Sequence, residues 1–136
     1  MAIASDIRPG DDPVQVSEKL VGRKRTQAMR DLFASFGLPE DVFRYFFGTL
    51  YTRDVLTQRE RELCAVAALC VLGRAEQLRT HIIAALRAGA ARKEVVEVIL
   101  QMSTYGGMPV TMEGLALCRE IFMKSDAAGQ GDRAAG

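Results

Sequence analysis

In the stretch GRAEQLRTH, residues 73–81, Arg74, Gln77 and His81 stand at i, i+3 and i+7. That spacing puts a guanidinium, an amide and an imidazole on one stripe of a helix. His81 is the single histidine of the 136-residue chain. Imidazole changes charge near physiological pH and can give or take a proton there. Beyond His81 the stripe continues as Ala84, Ala85 and Ala88, small residues that leave room for a small anionic ligand. The competing reading is the solvent-facing side of an amphipathic helix.

Two further stretches carry chemistry. Glu62 falls on the same side of its helix as Val66 and Leu69. A carboxylate on an apolar stripe sits at the rim or is paired inside. Arg59 and Arg61 are candidate salt-bridge partners; an imidazole beside it would make an acid–base pair instead. In TYGGMPVT, residues 104–111, Gly106 and Gly107 permit a tight turn and Pro109 suits the first turn of the next helix. Backbone amides there can face an anionic oxygen, with the Tyr105 hydroxyl nearby. Alone, the segment is equally an ordinary helix connection. Cys64, Cys70 and Cys118 form no C-x-x-C or C-x-x-H spacing, which gives no zinc or dithiol motif. They read as small buried hydrophobes in a reducing compartment, with an individually reactive thiol as the alternative.

The elements that must position these residues are helical throughout. Hydrophobic residues make up 49% and charged residues 26% of the chain, with a net charge of +1. This is the composition of a globular domain without the basic footprint of a nucleic-acid or anionic-membrane binder. The longest apolar run, Leu63 to Leu72, is about half of what a membrane span requires. No leader-like segment opens the sequence, so a cytoplasmic location is expected. Residues 1–15, with Pro9, Gly10 and Pro13, predict an irregular arm. A first helix is expected from about Val16 to Phe36, carrying Leu20, Met29, Leu32 and Phe33 and stopping at Gly37. A second runs from about Pro39 to Tyr51, with Phe43, Phe46 and Phe47 on one face. The third opens with the capping box Thr57-Gln58-Arg59-Glu60 and runs to Leu72. It is apolar nearly all round and therefore central. A fourth spans Ala75 to Ala88, a fifth covers ARKEVVEVILQMSTY, residues 91–105, with Val95, Val98, Ile99 and Met102 as its stripe, and a sixth runs from Met112 to Met123. Residues 125–136 are small and polar, a flexible tail. The expectation is one compact all-α domain of about six helices over residues 16–124.

The ordered set of these features resembles the carboxymuconolactone decarboxylase family, over about Leu56 to Phe122, with a looser likeness back through RDLFASFG. It rests on LGR at 72–74, His81 seven residues after Arg74, Gly89 eight after His81, KEVVEV at 93–98 and YGGMP at 105–109. In the last of these the family commonly shows Tyr, any residue, Gly, any residue, Pro. The resemblance implies an alkylhydroperoxidase D-like helical fold that assembles as a homo-oligomer, a trimer or hexamer. It implies chemistry without metal or organic cofactor on a small-molecule carboxylate or lactone, with no nucleic acid or membrane as partner. Carried over, His81 transfers the proton, Arg74 holds a carboxylate or steadies an enolate, and Tyr105 with Gly106–Gly107 lines the pocket. Glu62, nineteen residues before His81, matches the proton-relay glutamate of the hydroperoxidase branch. That branch needs Cys-x-x-Cys-x-x-x-His, and here Arg74 and Gln77 occupy both cysteine positions. The decarboxylases tend to carry an acid at the place of Gln77 and often a histidine at that of Gln101; both are amides here.

The expected function is therefore a cofactor-independent lyase that decarboxylates, or moves a proton on, a small carboxylated lactone or β-keto acid. Its setting is aromatic catabolism or secondary-metabolite tailoring. Catalysis falls to His81, Arg74 and Glu62, and binding to Gln77, Gln101, Tyr105, Gly106 and Gly107, with no metal ligands. Two other classes stay open: a non-catalytic oligomeric ligand binder of the same fold, and a thiol-dependent hydroperoxidase using Cys64 or Cys70.

Overall fold

The computed structural model describes residues 6–134, which form a single all-helical domain. Residues 1–5 of the expected arm and 135–136 of the expected tail lie outside the described residues. The chain enters helix earlier than the sequence suggests. Asp12 accepts a hydrogen bond from the Gln15 amide at 3.1 Å, and Pro13 begins α1, Pro13–Val21. The single helix expected to Phe36 is two, because Gly22 breaks it at φ 89°, ψ 154°, a backbone region open essentially to glycine alone. α2, Arg23–Ser35, leaves at a new angle and buries only Thr26. The Thr26 hydroxyl lies 2.8 Å from that of Ser17 in α1 and donates to the Gly22 carbonyl. Two buried hydroxyls thereby satisfy one another at the corner.

The aromatic helix is also divided. α3, Glu40–Arg44, passes into a π-helical turn, Tyr45–Leu50. The wider winding changes which aromatics share a face. Phe43 and Phe47 are buried with ring centroids 4.8 Å apart, whereas Phe46 is 40% exposed. Phe46 thus leaves the face that the sequence assigns to it.

α4, Gln58–Val71, begins as expected: Thr57 accepts from the Glu60 amide, and the Glu60 carboxylate accepts from the Thr57 amide at 2.8 Å. Gly73, at φ 65°, turns the chain into α5, Ala75–Arg87, and the two helices pack as an antiparallel hairpin. α6, Arg92–Gln101, leads through the short α7, Ser103–Gly106, to α8, Met108–Ala134. α8 starts before Met112 and continues past Met123, through the segment expected to be a flexible tail. Arg92 explains part of this extension. Its guanidinium pairs with Asp126 at 2.7 Å and stacks over the Phe122 ring, holding the helix beyond its apolar stripe.

Two apolar clusters result. Val66, Cys70, Leu78, Ile82, Val95, Ile99 and Cys118 tie α4, α5, α6 and α8 together. Val16, Leu20, Phe43, Phe47 and Ala88 tie α1 and the aromatic segment to the end of α5. Cys70 and Cys118 are buried as expected, but Cys64 is exposed, because it lies on the face of α4 away from Glu62 and Val66. Among the described residues no helix is long and apolar enough to cross a membrane.

Candidate active site

The α4–α5 hairpin brings Glu62 opposite His81. Antiparallel packing about Gly73 sets Glu62, eleven residues before it, across from His81, eight after it. Glu62 is fully buried, and its Oε2 lies 2.6 Å from Nδ1 of His81. The other oxygen, Oε1, is buried without a hydrogen-bond partner among the described residues. An ionised carboxylate only accepts, so beside one Nδ1 carries the proton. Nε2, at the opposite edge of a ring whose side chain is 23% exposed, is left for a ligand. The salt bridges considered for Glu62 are made elsewhere: Arg59 pairs with Glu94, and Arg61 donates to the Arg53 carbonyl.

The pair opens on a cavity of about 380 Å3 between the hairpin and the N-terminal helices. Its floor and walls are apolar, from Leu20 and Val21 of α1, Ala28, Met29 and Leu32 of α2, and Phe47. Gln77 and Thr80 join His81 along α5, Tyr51 stands beside Glu62, and Arg25 of α2 completes the lining. Burial, with the Glu62 charge added to it, pushes the Tyr51 phenol up to about 12, partly opposed by Arg61. The phenol is therefore neutral near pH 7 and can donate a hydrogen bond. The side-chain amide of Gln58 donates to the Tyr51 carbonyl, fixing the end of the π-helical turn from which Tyr51 projects. The Thr80 hydroxyl donates to the Glu76 carbonyl at 3.1 Å, so towards a ligand it can only accept.

The residues singled out from the sequence separate into two groups. Glu62, Gln77 and His81 line the cavity. Arg74, at the N-terminus of α5, does not, although it shares their stripe; it is exposed and about 10 Å along the helix axis from His81. Gly106 packs against Val71 at the far end of α4, with Tyr105 70% exposed beside it and Gly107 at φ 87° starting α8. Gln101, the last residue of α6, is exposed as well. The turn and Arg74 thus gather at the hairpin tip, away from the imidazole in this protomer. Arg25 and Tyr51 are additions that the sequence reading does not contain. Arg25, Met29 and Leu32 stand at i, i+4 and i+7, a spacing that joins the cation to the apolar face of α2, so the signal for Arg25 is present in the sequence.

None of the three cysteines lines the cavity. Burial raises the Cys70 thiol, with Glu113 adding to it, and burial pushes Cys118 up to about 11, the opposite of an activated thiolate. No group of three or more metal-ligating side chains occurs among the described residues.

Comparison with known proteins agrees with this architecture. The sequence profile of the carboxymuconolactone decarboxylase family matches residues 37–120, and the chain belongs to that family. It is 28% identical over 111 residues to the 4-carboxymuconolactone decarboxylase of Acinetobacter baylyi, covering 80% of this chain and 83% of that one. It is 35% identical over 91 residues to the "Uncharacterized 15.0 kDa protein in nqo9-nqo10 intergenic region" of Paracoccus denitrificans, covering 65% and 68% respectively.

Proposed function

We propose that this chain is a cofactor-independent, decarboxylase-type enzyme that acts by proton transfer on a small carboxylated lactone or β-keto acid in the cytoplasm. The observation that carries the reading is the 2.6 Å contact between His81 Nδ1 and the buried Glu62 at the wall of an apolar cavity. Family membership and the relative named 4-carboxymuconolactone decarboxylase support the reaction class.

In a β-keto acid the bond to the carboxylate carbon breaks, carbon dioxide leaves, and the electron pair moves into the carbonyl to give an enolate. The neutral Tyr51 hydroxyl and the Gln77 amide are the donors available to the enolate oxygen. Protonated His81 delivers Nε2–H to the α-carbon and is reloaded from water, while Glu62 compensates its charge. The apolar walls keep water from the enolate until it is protonated. Arg74 and the Tyr105–Gly107 turn have no part in these steps within one protomer.

The experiment is carbon dioxide release from a panel of β-keto acids and carboxylated lactones, with chelator present. His81→Asn is expected to keep the fold and lose roughly 10²–10⁴ in turnover. Activity that survives the substitution, or that needs a metal, would overturn the mechanism. Ligand binding without turnover by the native chain would favour the non-catalytic binder.

A further inference from the structure

Charge inside the cavity is sparse, and that limits what can enter. Among its lining residues Arg25 is the one permanent cation. Glu62 and His81 form a neutral pair when the imidazole is protonated and a net anion when it is not. Tyr51 is neutral, and Gln77 and Thr80 carry no charge. The remaining surface is hydrocarbon from Leu20, Val21, Ala28, Met29, Leu32 and Phe47. Arg25 makes no ion pair or side-chain hydrogen bond among the described residues, whereas its neighbour Arg23 pairs with Glu18 and Arg30 with Glu40. Its guanidinium is therefore uncommitted, and it stands on the exposed side of the cavity.

From this we infer that Arg25 is the carboxylate anchor and that the site takes a monocarboxylate with an apolar body, not a di- or tricarboxylate. The inference rests on the enzymatic reading of the site only for calling the ligand a substrate. The guanidinium fork matches one carboxylate in a planar, bidentate arrangement. A second carboxylate carried inward would lose its water, meet no second cation and approach the buried Glu62 charge. An alicyclic or aromatic ring carries no such penalty against Met29, Leu32 and Phe47. Arg25 then holds the carboxylate on the exposed side, and the ring fills the apolar interior that Tyr51, Gln77 and His81 also line. The ligand so described is a ring-bearing acid with one charge.

Binding tests this without turnover. Calorimetric titration would compare cyclohexanecarboxylate, neutral cyclohexanone and the dicarboxylate trans-cyclohexane-1,4-dicarboxylate on the full chain. The monocarboxylate is expected to bind best. Arg25→Gln should weaken it by about 10- to 100-fold, the worth of one charge-assisted hydrogen-bonded contact, and leave cyclohexanone unchanged. Arg25→Lys should recover only part of the loss. Lys24→Gln, which removes a neighbouring charge outside the cavity, should bind as the native chain does. Arg25 is exposed and makes no ion pair among the described residues, so the melting temperature should stay the same in all three variants. Native affinity in Arg25→Gln, tighter binding of the dicarboxylate, or transfer of the loss to Arg74→Gln would overturn the proposal. Failure of the proton-transfer reading looks different: no turnover by the native chain, with the Arg25 dependence of binding intact.

Discussion

Tyr51 keeps its proton because it is buried and because Glu62 stands beside it. With the folded phenol at about 12 and the ordinary value at 10, the folded state holds that proton more tightly than the unfolded state. The contribution to stability is complete below pH 10 and is lost as pH rises through about 12. Denaturation curves across that interval should show a steeper alkaline loss for the native chain than for Tyr51→Phe. Parallel curves would mean that the burial of Tyr51 has been misread. In the sequence this residue is hidden, since a phenol at the end of an aromatic segment is indistinguishable from core until Glu62 is placed next to it. Glu62 and His81 are conspicuous there because each interrupts hydrocarbon, a carboxylate on the stripe of Val66 and an imidazole ahead of Ile82 and Ile83. Their pairing is legible as one alternative among salt bridges, since they lie on the two arms of one hairpin, on either side of Gly73. Arg74 shares the stripe but not the cavity of one protomer, because a stripe says which residues are aligned and nothing of how far along the helix the cavity extends.

At the scale of elements, periodicity and caps locate α4 and α5 to within a residue or two, because each is bounded by a strong local signal, whereas the fifth helix, expected over residues 91–105, ends at Gln101 and gives way to the short α7. Thr57 and Glu60 reciprocate at the start of α4, Gly73 turns the hairpin, and Gly89 stops α5 at φ 96°. The break at Gly22 is not legible in this way. The residues around it suit a continuous helix, and the kink is fixed by tertiary contacts: the Ser17–Thr26 hydroxyl pair and the seating of α2 over the hairpin. Likewise nothing local announces a π-helical turn at Tyr45–Leu50; it is set by packing Phe43 and Phe47 together. The corner at Gly22 is testable. A side chain there is forced into a backbone region costing roughly 1–3 kcal/mol, and its Cβ would lie 3.1 Å from the mobile end of Arg87. Gly22→Ala should lower unfolding stability by about that amount in denaturant titration and weaken ligand binding, since α2 forms one wall of the cavity. An unchanged midpoint would show that the corner tolerates a standard residue.

At the scale of the molecule, the all-helical class follows from the sequence, whereas the surface does not. Phe36, Val55 and Tyr105 are between 70% and 79% exposed, and Leu72, Met108 and Met112 are exposed near the hairpin tip. Side chains of that size left in water favour association, and the chain is expected to be a homo-oligomer. Light scattering should return a multiple of 14.9 kDa at micromolar concentration; the mass of one chain would refute it. Tyr105→Lys should then shift the distribution towards smaller species. The solitary status of His81 has a consequence of a different kind. A protein with one histidine has one set of imidazole resonances in its proton spectrum, with no assignment to dispute. That ring is bonded at 2.6 Å to a buried carboxylate, so its Nδ1 proton should resonate far downfield and exchange slowly enough to observe. The molecule thus carries a built-in, unlabelled reporter at the wall of its own cavity, and occupancy can be followed there with ligands that never react.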